Sequence, residues 1–301
     1  MTSGTVRVSG PIPEAGLEVL RAGGLEVRMG GTDVRGVDAL LCLLTDRIDA
    51  AVLERADRLK IVANMAVGTD NIDLEAADRC GIAVSNTPDV LTDATADLTF
   101  ALLLAVARRL VWGDQLVRSG AFTGWSPSLG LGLDVTERTL GIVGVGRIGQ
   151  AVAERARGFR MTVLETDRDT GVPLSTLLER SDFVSLHVPL SEETHHLIGE
   201  TELRRMRSHA ILINTARGPA IDERALVRAL REGWIAGAGL DVFETEPQLA
   251  PGLTDLPNVV LTPHVGSATI ATRNRMAEIA AMNVVAAVEG REIPNRVNAP
   301  G

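Results

Sequence analysis

Cysteine is almost missing from this chain. Cys42 and Cys80 are the only two in 301 residues, and each sits in or beside an apolar run. Two thiols so far apart read as reduced core side chains of a cytoplasmic protein, and they exclude a disulfide framework. The five histidines and two cysteines never fall at ligand spacing, so no metal site is expected. Basic charge is in deficit, with 30 Lys and Arg against 39 Asp and Glu and a formal net charge of −9. Nucleic acids and anionic membrane surfaces reward basic patches, so neither is an expected partner. Long apolar runs are lacking as well: the longest, residues 100–107, falls far short of the roughly 20 residues that span a bilayer. The N-terminus has no charged-then-apolar signal pattern, which argues against secretion. No internal repeat is present, although both halves of the chain use the same βα unit.

What is present suffices for about two domains, each with its own apolar core. Short apolar runs at residues 6–8, 25–28, 38–44, 60–67 and 81–85 read as strands, and 13–22, 49–56 and 74–79 read as the helices between them. Thr92 is a candidate N-cap for a long helix over 93–111, whose apolar content is too dense for a single buried face. The glycine-rich stretch 113–134 suits no regular element, and a loop of that length is usually functional or disordered. The alternation then resumes with strands at 140–145, 161–164, 182–187, 209–214, 236–242 and 259–262. Helices are expected at 150–159, at 223–232 behind an Asp222 cap, and at 271–288. Strands alternating with helices predict an α/β chain built on doubly wound parallel sheets.

The strongest local pattern is Gly144-x-Gly146-x-x-Gly149, with Arg147 and Ile148 inside it, between an apolar strand and a helix. The first glycine permits a tight turn, the second lets the backbone approach a pyrophosphate, and the third lets the helix pack on the strand. A helix N-terminus there offers amide N–H groups and a positive dipole end to phosphates. Asp167 ends the next apolar run, about 20 residues on, where an acid that bonds ribose hydroxyls is expected. A carboxylate repels a 2′-phosphate, so Asp167 favours NAD, whereas the adjacent Arg168 leaves NADP possible.

Hydride chemistry on a carbonyl also needs a group that polarises it and a proton donor. Arg217 directly follows the strand at 209–214, where ligands sit in an open parallel sheet, and a guanidinium can hold a carboxylate in bidentate fashion. His264 follows the strand at 259–262 and is the histidine that combines a strand end with adjacent Gly and Ser. Glu246 lies just past the strand ending near Val242, and a carboxylate beside an imidazole stabilises its protonated form. Taken singly, each has a plain alternative as a turn arginine, a structural histidine or a turn glutamate. His195, His196 and His209 read as solvated, while His187 ends a strand near Pro189 and is a candidate to line the cofactor groove.

Together, Asn214-Thr-Ala-Arg-Gly218, Gly239-Leu-Asp-Val-Phe-Glu-Thr-Glu-Pro247 and Thr262-Pro-His-Val-Gly266 resemble the three signatures of the D-isomer-specific 2-hydroxyacid dehydrogenases. The resemblance covers nearly the whole chain. It implies a discontinuous substrate-binding domain, residues 1–93 plus 269–301, and an NAD(P)-binding Rossmann domain, residues 94–268. It further implies His264 as proton donor, Glu246 as its partner and Arg217 as the residue that binds the keto acid. Val67 and Gly68 would hold the substrate carboxylate through backbone N–H groups. Asp241 would bond the nicotinamide carboxamide, and Thr215, Pro189 and Gly266 would line the cofactor.

Within the family, Leu41-Cys-Leu-Leu-Thr-Asp46, Ala66-Val-Gly-Thr-Asp70, Thr87-Pro-Asp-Val-Leu-Thr-Asp93 and Trp125-Ser-Pro127 look most like glyoxylate/hydroxypyruvate reductases. By that likeness Trp125 would reach a partner subunit's active site and limit substrate size. Substrate choice lies with Leu43, Val67, Gly68 and Trp125, and the apolar surface of the long helix and glycine-rich loop points to a homodimer. The segment from Pro127 to Asp134 is shorter than in those enzymes and lacks their aromatics. D-3-phosphoglycerate dehydrogenases and NAD-sensing scaffolds of the same fold are the alternatives. No extra basic cluster for a phosphate and no peptide-binding groove is evident in the sequence.

Overall fold

The structure is a computed structural model that describes residues 4–299. It divides into two compact units, residues 92–266 and the combination of 4–91 with 267–299.

The first unit begins with β1 (Thr5–Val8), α1 (Glu14–Ala22), β2 (Glu26–Met29), β3 (Ala39–Cys42), α2 (Ala50–Leu53), β4 (Ile61–Asn64), α3 (Leu74–Arg79) and β5 (Ala83–Ser85). These strands form one parallel sheet in the order β2-β1-β3-β4-β5. Strands β3, β4 and β5 are buried along their whole length, because helices cover both faces of the sheet. Asp49 and Asp73 cap α2 and α3 by accepting the N–H groups of Val52 and Ala76. Both cysteines are unpaired, and Cys42 is buried as expected. Cys80 is exposed, a correction: it stands at the C-cap of α3, outside the core.

In the second unit come α4 (Thr92–Ala107), α5 (Leu110–Arg118), β6 (Thr139–Val143), α6 (Arg147–Gly158), β7 (Thr162–Thr166), α7 (Leu174–Arg180) and β8 (Phe183–Leu186). They are followed by α8 (Glu200–Arg205), β9 (Ile211–Asn214), α9 (Glu223–Glu232), β10 (Gly237–Leu240) and β11 (Val259–Leu261). The six strands are parallel in the order β11-β10-β9-β8-β6-β7, which repeats the strand order of the first sheet and adds one strand. In both sheets the strand order reverses beside the first strand, and in such sheets ligands bind at the carboxyl ends of the strands near that reversal. The chain then returns to the first unit with α10 (Ile270–Val288), whose alanine-rich side packs beside α1 on the first sheet.

Three expectations for the start of the second unit need correction. The long helix does not run to residue 111. It breaks at Arg109, which adopts a left-handed conformation (φ 53°) with its guanidinium 4.5 Å from the ring centroid of Trp112. Helix α5 then occupies the start of the stretch read as loop, so the irregular segment begins only after Arg118. The apolar residues Leu110, Val111 and Val117 keep helical spacing through the break, which is why no breaker signal marks it. Thr92 is also the first helical residue rather than a cap.

Candidate active site

The glycine turn closes the switch point of the second sheet. Gly144 has φ +93°, and a Cβ there would lie 2.7 Å from the carbonyl carbon of His187 at the end of neighbouring β8. At Gly149 a Cβ would come within 2.2 Å of the Gly144 carbonyl oxygen, so only glycine lets α6 sit this close. Gly146 is the N-cap of α6 and faces open space. The helix starts at Arg147, earlier than the expected residue 150. Arg147, Ile148 and Gly149 therefore form the first turn, whose amides have no i−4 partner within the helix. A turn with room over its middle glycine and a helix N-terminus beneath fits the pyrophosphate of a dinucleotide.

Asp167 follows β7 at the same edge. It is exposed, and N–H groups of Arg168 and Val145 donate to its carboxylate at 2.8 and 3.1 Å. Those two hydrogen bonds hold its carboxyl below the usual carboxylate range. The Arg168 guanidinium is tied to Glu193 in an ion pair. Burial pushes His187 down to about 4, so its imidazole is neutral, and its Nε2 lies 2.8 Å from the Ser185 hydroxyl. Pro189 is exposed two residues on.

The ends of β9, β10 and β11 are neighbours in the sheet, and they carry Arg217, Glu246 and His264. Beyond β9 the side chain of Asn214 closes the turn, accepting from Ala216 N at 3.0 Å and donating to the Arg217 carbonyl at 2.9 Å. The Arg217 guanidinium donates to the Ala216 carbonyl at 2.8 Å. Gly218 lets this turn lie flat on the next loop, since a Cβ there would stand 1.9 Å from the carbonyl of Phe243. Beyond β10, Glu246 accepts the Phe243 N–H on Oε1 at 3.0 Å and faces His264 Nδ1 with Oε2 at 2.9 Å. Burial raises the Glu246 carboxyl, but the hydrogen bonds from His264 and the Phe243 N–H outweigh it, and with the nearby Arg217 they leave it below the usual carboxylate range. An ionised carboxylate only accepts, so Nδ1 carries a proton and Nε2 is the ring nitrogen left for other chemistry.

His264 sits at φ 53°, a left-handed conformation that costs a non-glycine residue on the order of 1–3 kcal/mol. The turn around it is over-determined. The His264 N–H donates to the Asp241 carbonyl at 2.8 Å, and Asp241, only 1% exposed, receives the rest of the turn on its carboxylate. Its Oδ1 accepts from the Thr262 hydroxyl (2.6 Å) and Val265 N (2.8 Å), and its Oδ2 from Gly266 N (2.8 Å). Asp241, expected to address a nicotinamide, is thus also the buried anchor of the histidine turn. Thr215 is 8% exposed, and its hydroxyl lies 2.9 Å from that of Thr99 on α4. His195, His196 and His209 are exposed, as expected; carboxylates of Glu244 and Asp182 lie 2.8 Å from His196 and His209, and the His195 ring is tilted against that of His196. Trp125 is 83% exposed.

The first unit presents a different site at the end of β4. The carbonyls of Ala66, Val67 and Gly68 are held from behind by Thr87 N (2.9 Å), Asn86 Nδ2 (2.8 Å) and Asn64 Nδ2 (2.8 Å). Because the N–H of a trans peptide points opposite its carbonyl, the amides of Val67, Gly68 and Thr69 face the other way. Backbone N–H groups turned away from held carbonyls in this way are candidates to meet an anion. Asn71 extends the scaffold by donating to the carbonyls of Leu43 (3.2 Å) and Asp46 (3.0 Å). Asn64 and Asn86 carry no motif, and sequence reasoning passed over them; polar residues in or just after an apolar strand were the only signal.

A cleft of about 610 Å³ lies elsewhere on the second unit, bordered by Val106, Trp112, Leu131, Ile211, Ala236 and Pro257. It opens at the amino ends of β9–β11, the edge opposite the candidate residues. Among the described residues no group of His, Cys, Asp and Glu is placed to hold a metal ion. No described helix is long and apolar enough to cross a membrane.

Known proteins resemble this chain along most of its length. Residues 100–266 match the family model for the NAD binding domain of D-isomer specific 2-hydroxyacid dehydrogenases. A glyoxylate reductase of Thermococcus litoralis is 56% identical over 280 residues, covering 88% of this chain and 85% of that protein. The TT0316 protein of Thermus thermophilus superposes with a TM-score of 0.93 at 50% identity, over 97% of this chain and 99% of that one. An NADPH-dependent glyoxylate/hydroxypyruvate reductase of Sinorhizobium meliloti, solved with NADP and malonate, gives 0.89 at 34% identity over 98% and 97%.

Proposed function

Because the chain belongs to the D-isomer specific 2-hydroxyacid dehydrogenase family, we propose that it reduces glyoxylate or hydroxypyruvate to the 2-hydroxy acid, of D configuration where C2 is chiral, with NADH. The observation that carries this reading is the His264–Glu246 pair, at 2.9 Å, one strand end away from Arg217 in the NAD-binding unit. A bound nicotinamide supplies the hydride that reduces C2 of the keto acid. His264, doubly protonated, gives the Nε2 proton to the keto oxygen, while Glu246 stabilises the imidazolium from Nδ1. Arg217 polarises the carbonyl and orients the carboxylate. The amides of Val67 and Gly68 take the substrate carboxylate, and Leu43 and Trp125 bound the size of its tail.

For the nucleotide, Gly144, Gly146, Arg147, Ile148 and Gly149 cradle the pyrophosphate and Asp167 takes the ribose hydroxyls. His187, Pro189, Thr215 and Gly266 line the groove, and the remaining acceptor capacity of Asp241 Oδ2 addresses the nicotinamide amide. NADH is the preferred cofactor: the Asp167 carboxylate repels a 2′-phosphate, and the Arg168 guanidinium that would offset this is already paired with Glu193. The substrate-binding domain comprises residues 1–93 with 269–301, and the nucleotide domain residues 94–268.

The protein acts as a cytoplasmic homodimer. Leu110, Val117, Phe122, Trp125 and Leu131 are 48–83% exposed on α5 and the segment after it, more apolar surface than a lone chain usually leaves in water.

Turnover of glyoxylate, hydroxypyruvate and phosphohydroxypyruvate, each with NADH and NADPH, tests the reading. The fastest rate is expected with NADH and one of the two unphosphorylated acids. Preference for the phosphorylated acid would make it a phosphoglycerate dehydrogenase, and nucleotide binding without any turnover would make it a scaffold.

A further inference from the structure

Glu223 is the first residue of α9 and only 2% exposed, an unusual place for a carboxylate. An acid in the first turn of a helix normally serves the dipole from the surface. Here both oxygens are spent on one loop. Oε1 accepts the Glu244 N–H at 2.6 Å, and Oε2 accepts the Ala250 N–H at 3.1 Å. Glu244 returns the contact, its Oε2 accepting the Glu223 N–H at 3.2 Å while its Oε1 meets His196 Nε2 at 2.8 Å. The segment bracketed in this way, 244–250, folds back on itself through Gln248 N donating to the Thr245 carbonyl at 2.9 Å. Within it stands Glu246.

Resting on the reductase reading above, we infer that Glu223 is a positioning residue: by pinning both ends of the 244–250 turn it aims the Glu246 carboxylate at His264. Ionisation of Glu223 does not stabilise the fold. Burial, and then the neighbouring Glu244 and Glu246 carboxylates, push the Glu223 carboxyl up despite its two backbone hydrogen bonds. An acid whose folded-state value is raised contributes most to stability at low pH, and that contribution shrinks as pH rises from the ordinary value through the raised one. The native turn thus holds a carboxylate that the fold disfavours near neutrality. A neutral amide of the same shape, Glu223→Gln, relieves that cost but turns an N–H toward one of the two backbone N–H groups, so the turn loosens.

The test uses the intact protein. In wild type, the proton between His264 Nδ1 and Glu246 is expected as a far-downfield proton NMR signal, assigned by its loss in Glu246→Gln. Glu223→Gln should weaken or abolish that signal and lower kcat about tenfold or more, the scale on which small misplacements of a catalytic group act. NADH affinity should be unchanged. Where Glu223→Gln does not fold, Glu223→Asp carries the same test, because it keeps the charge but is one methylene too short to bridge both ends. A folded variant with the signal and kcat of wild type overturns the proposal. Wild-type protein that reduces no 2-keto acid overturns the reductase reading instead, and the proton signal still decides the role of Glu223.

Discussion

Thr5 and Thr139 open the equivalent first strands of the two sheets, and each donates its backbone N–H, at 2.8 Å, to an aspartate one residue before the third strand, Asp38 and Asp182. At their amino edges the two units are therefore built alike. At their carboxyl edges they diverge. The first unit follows β4 with a loop whose carbonyls are held by Thr87 N and the side-chain amides of Asn64 and Asn86, leaving backbone N–H groups as its candidate binding groups. The second follows β9, β10 and β11 with ionisable side chains whose turns are held by buried or partly buried carboxylates or amides: Asn214, Asp241 and Glu223. The shared edge is structural; the carboxyl edges differ in chemistry, which is the division the proposed function rests on. Neutral amides hold an anion without competing for its proton, whereas a proton donor needs a carboxylate beside it.

Substitutions can break that division at several points. The largest effect is expected from His264→Ala, which should lower kcat by ~10²–10⁴, the usual scale for losing a general acid, with NADH affinity unchanged. Next, Asp167→Ala should raise the NADPH-to-NADH ratio of kcat/KM about tenfold or more by removing the carboxylate that repels a 2′-phosphate. Adding Glu193→Gln should raise it further by releasing Arg168. In the loop after β4, Asn86→Ala frees the Val67 carbonyl and should raise KM for the keto acid roughly tenfold while kcat changes little, the signature of lost uniform binding. Rapid-equilibrium fits of each variant against wild type separate these patterns.

An effect on stability and not on turnover tests the edge the units share. Asp182 is buried, which raises its carboxyl, but bonds from Thr139 N, His209 and Arg207 outweigh this and hold it below the usual range. Its contribution to stability is therefore complete above ordinary carboxylate values and fades as pH falls through the depressed one. Asp182→Asn should cost about 1–3 kcal/mol at neutral pH, measured by denaturant unfolding, and less as the pH falls toward that range.

Much of this was legible in the sequence, for physical reasons. Strands such as Ala39–Cys42 and Ile211–Asn214 are buried on both faces, so they read as unbroken apolar runs. Gly144, Gly149 and Gly218 mark places where a Cβ would collide with backbone, and two of them belong to the fingerprint. Arg217, Glu246 and His264 stand past neighbouring strand ends, where ligands bind in an open parallel sheet, and it is the three together rather than any one that carried the signal. Other features could not be read. The break at Arg109 has no glycine or proline to announce it, and the apolar spacing continues through it. Glu223 looked like an ordinary first-turn acid, since its partners Glu244 and Ala250 lie 21 and 27 residues away and only the folded chain brings them together. Asn64 and Asn86 were silent for the same reason: their work is done on the carbonyls of a loop that has no side-chain signature.

The most direct test of the whole account is the configuration of the product when purified protein oxidises NADH with hydroxypyruvate. The account predicts D-glycerate; L-glycerate, or no oxidation of NADH, would contradict it.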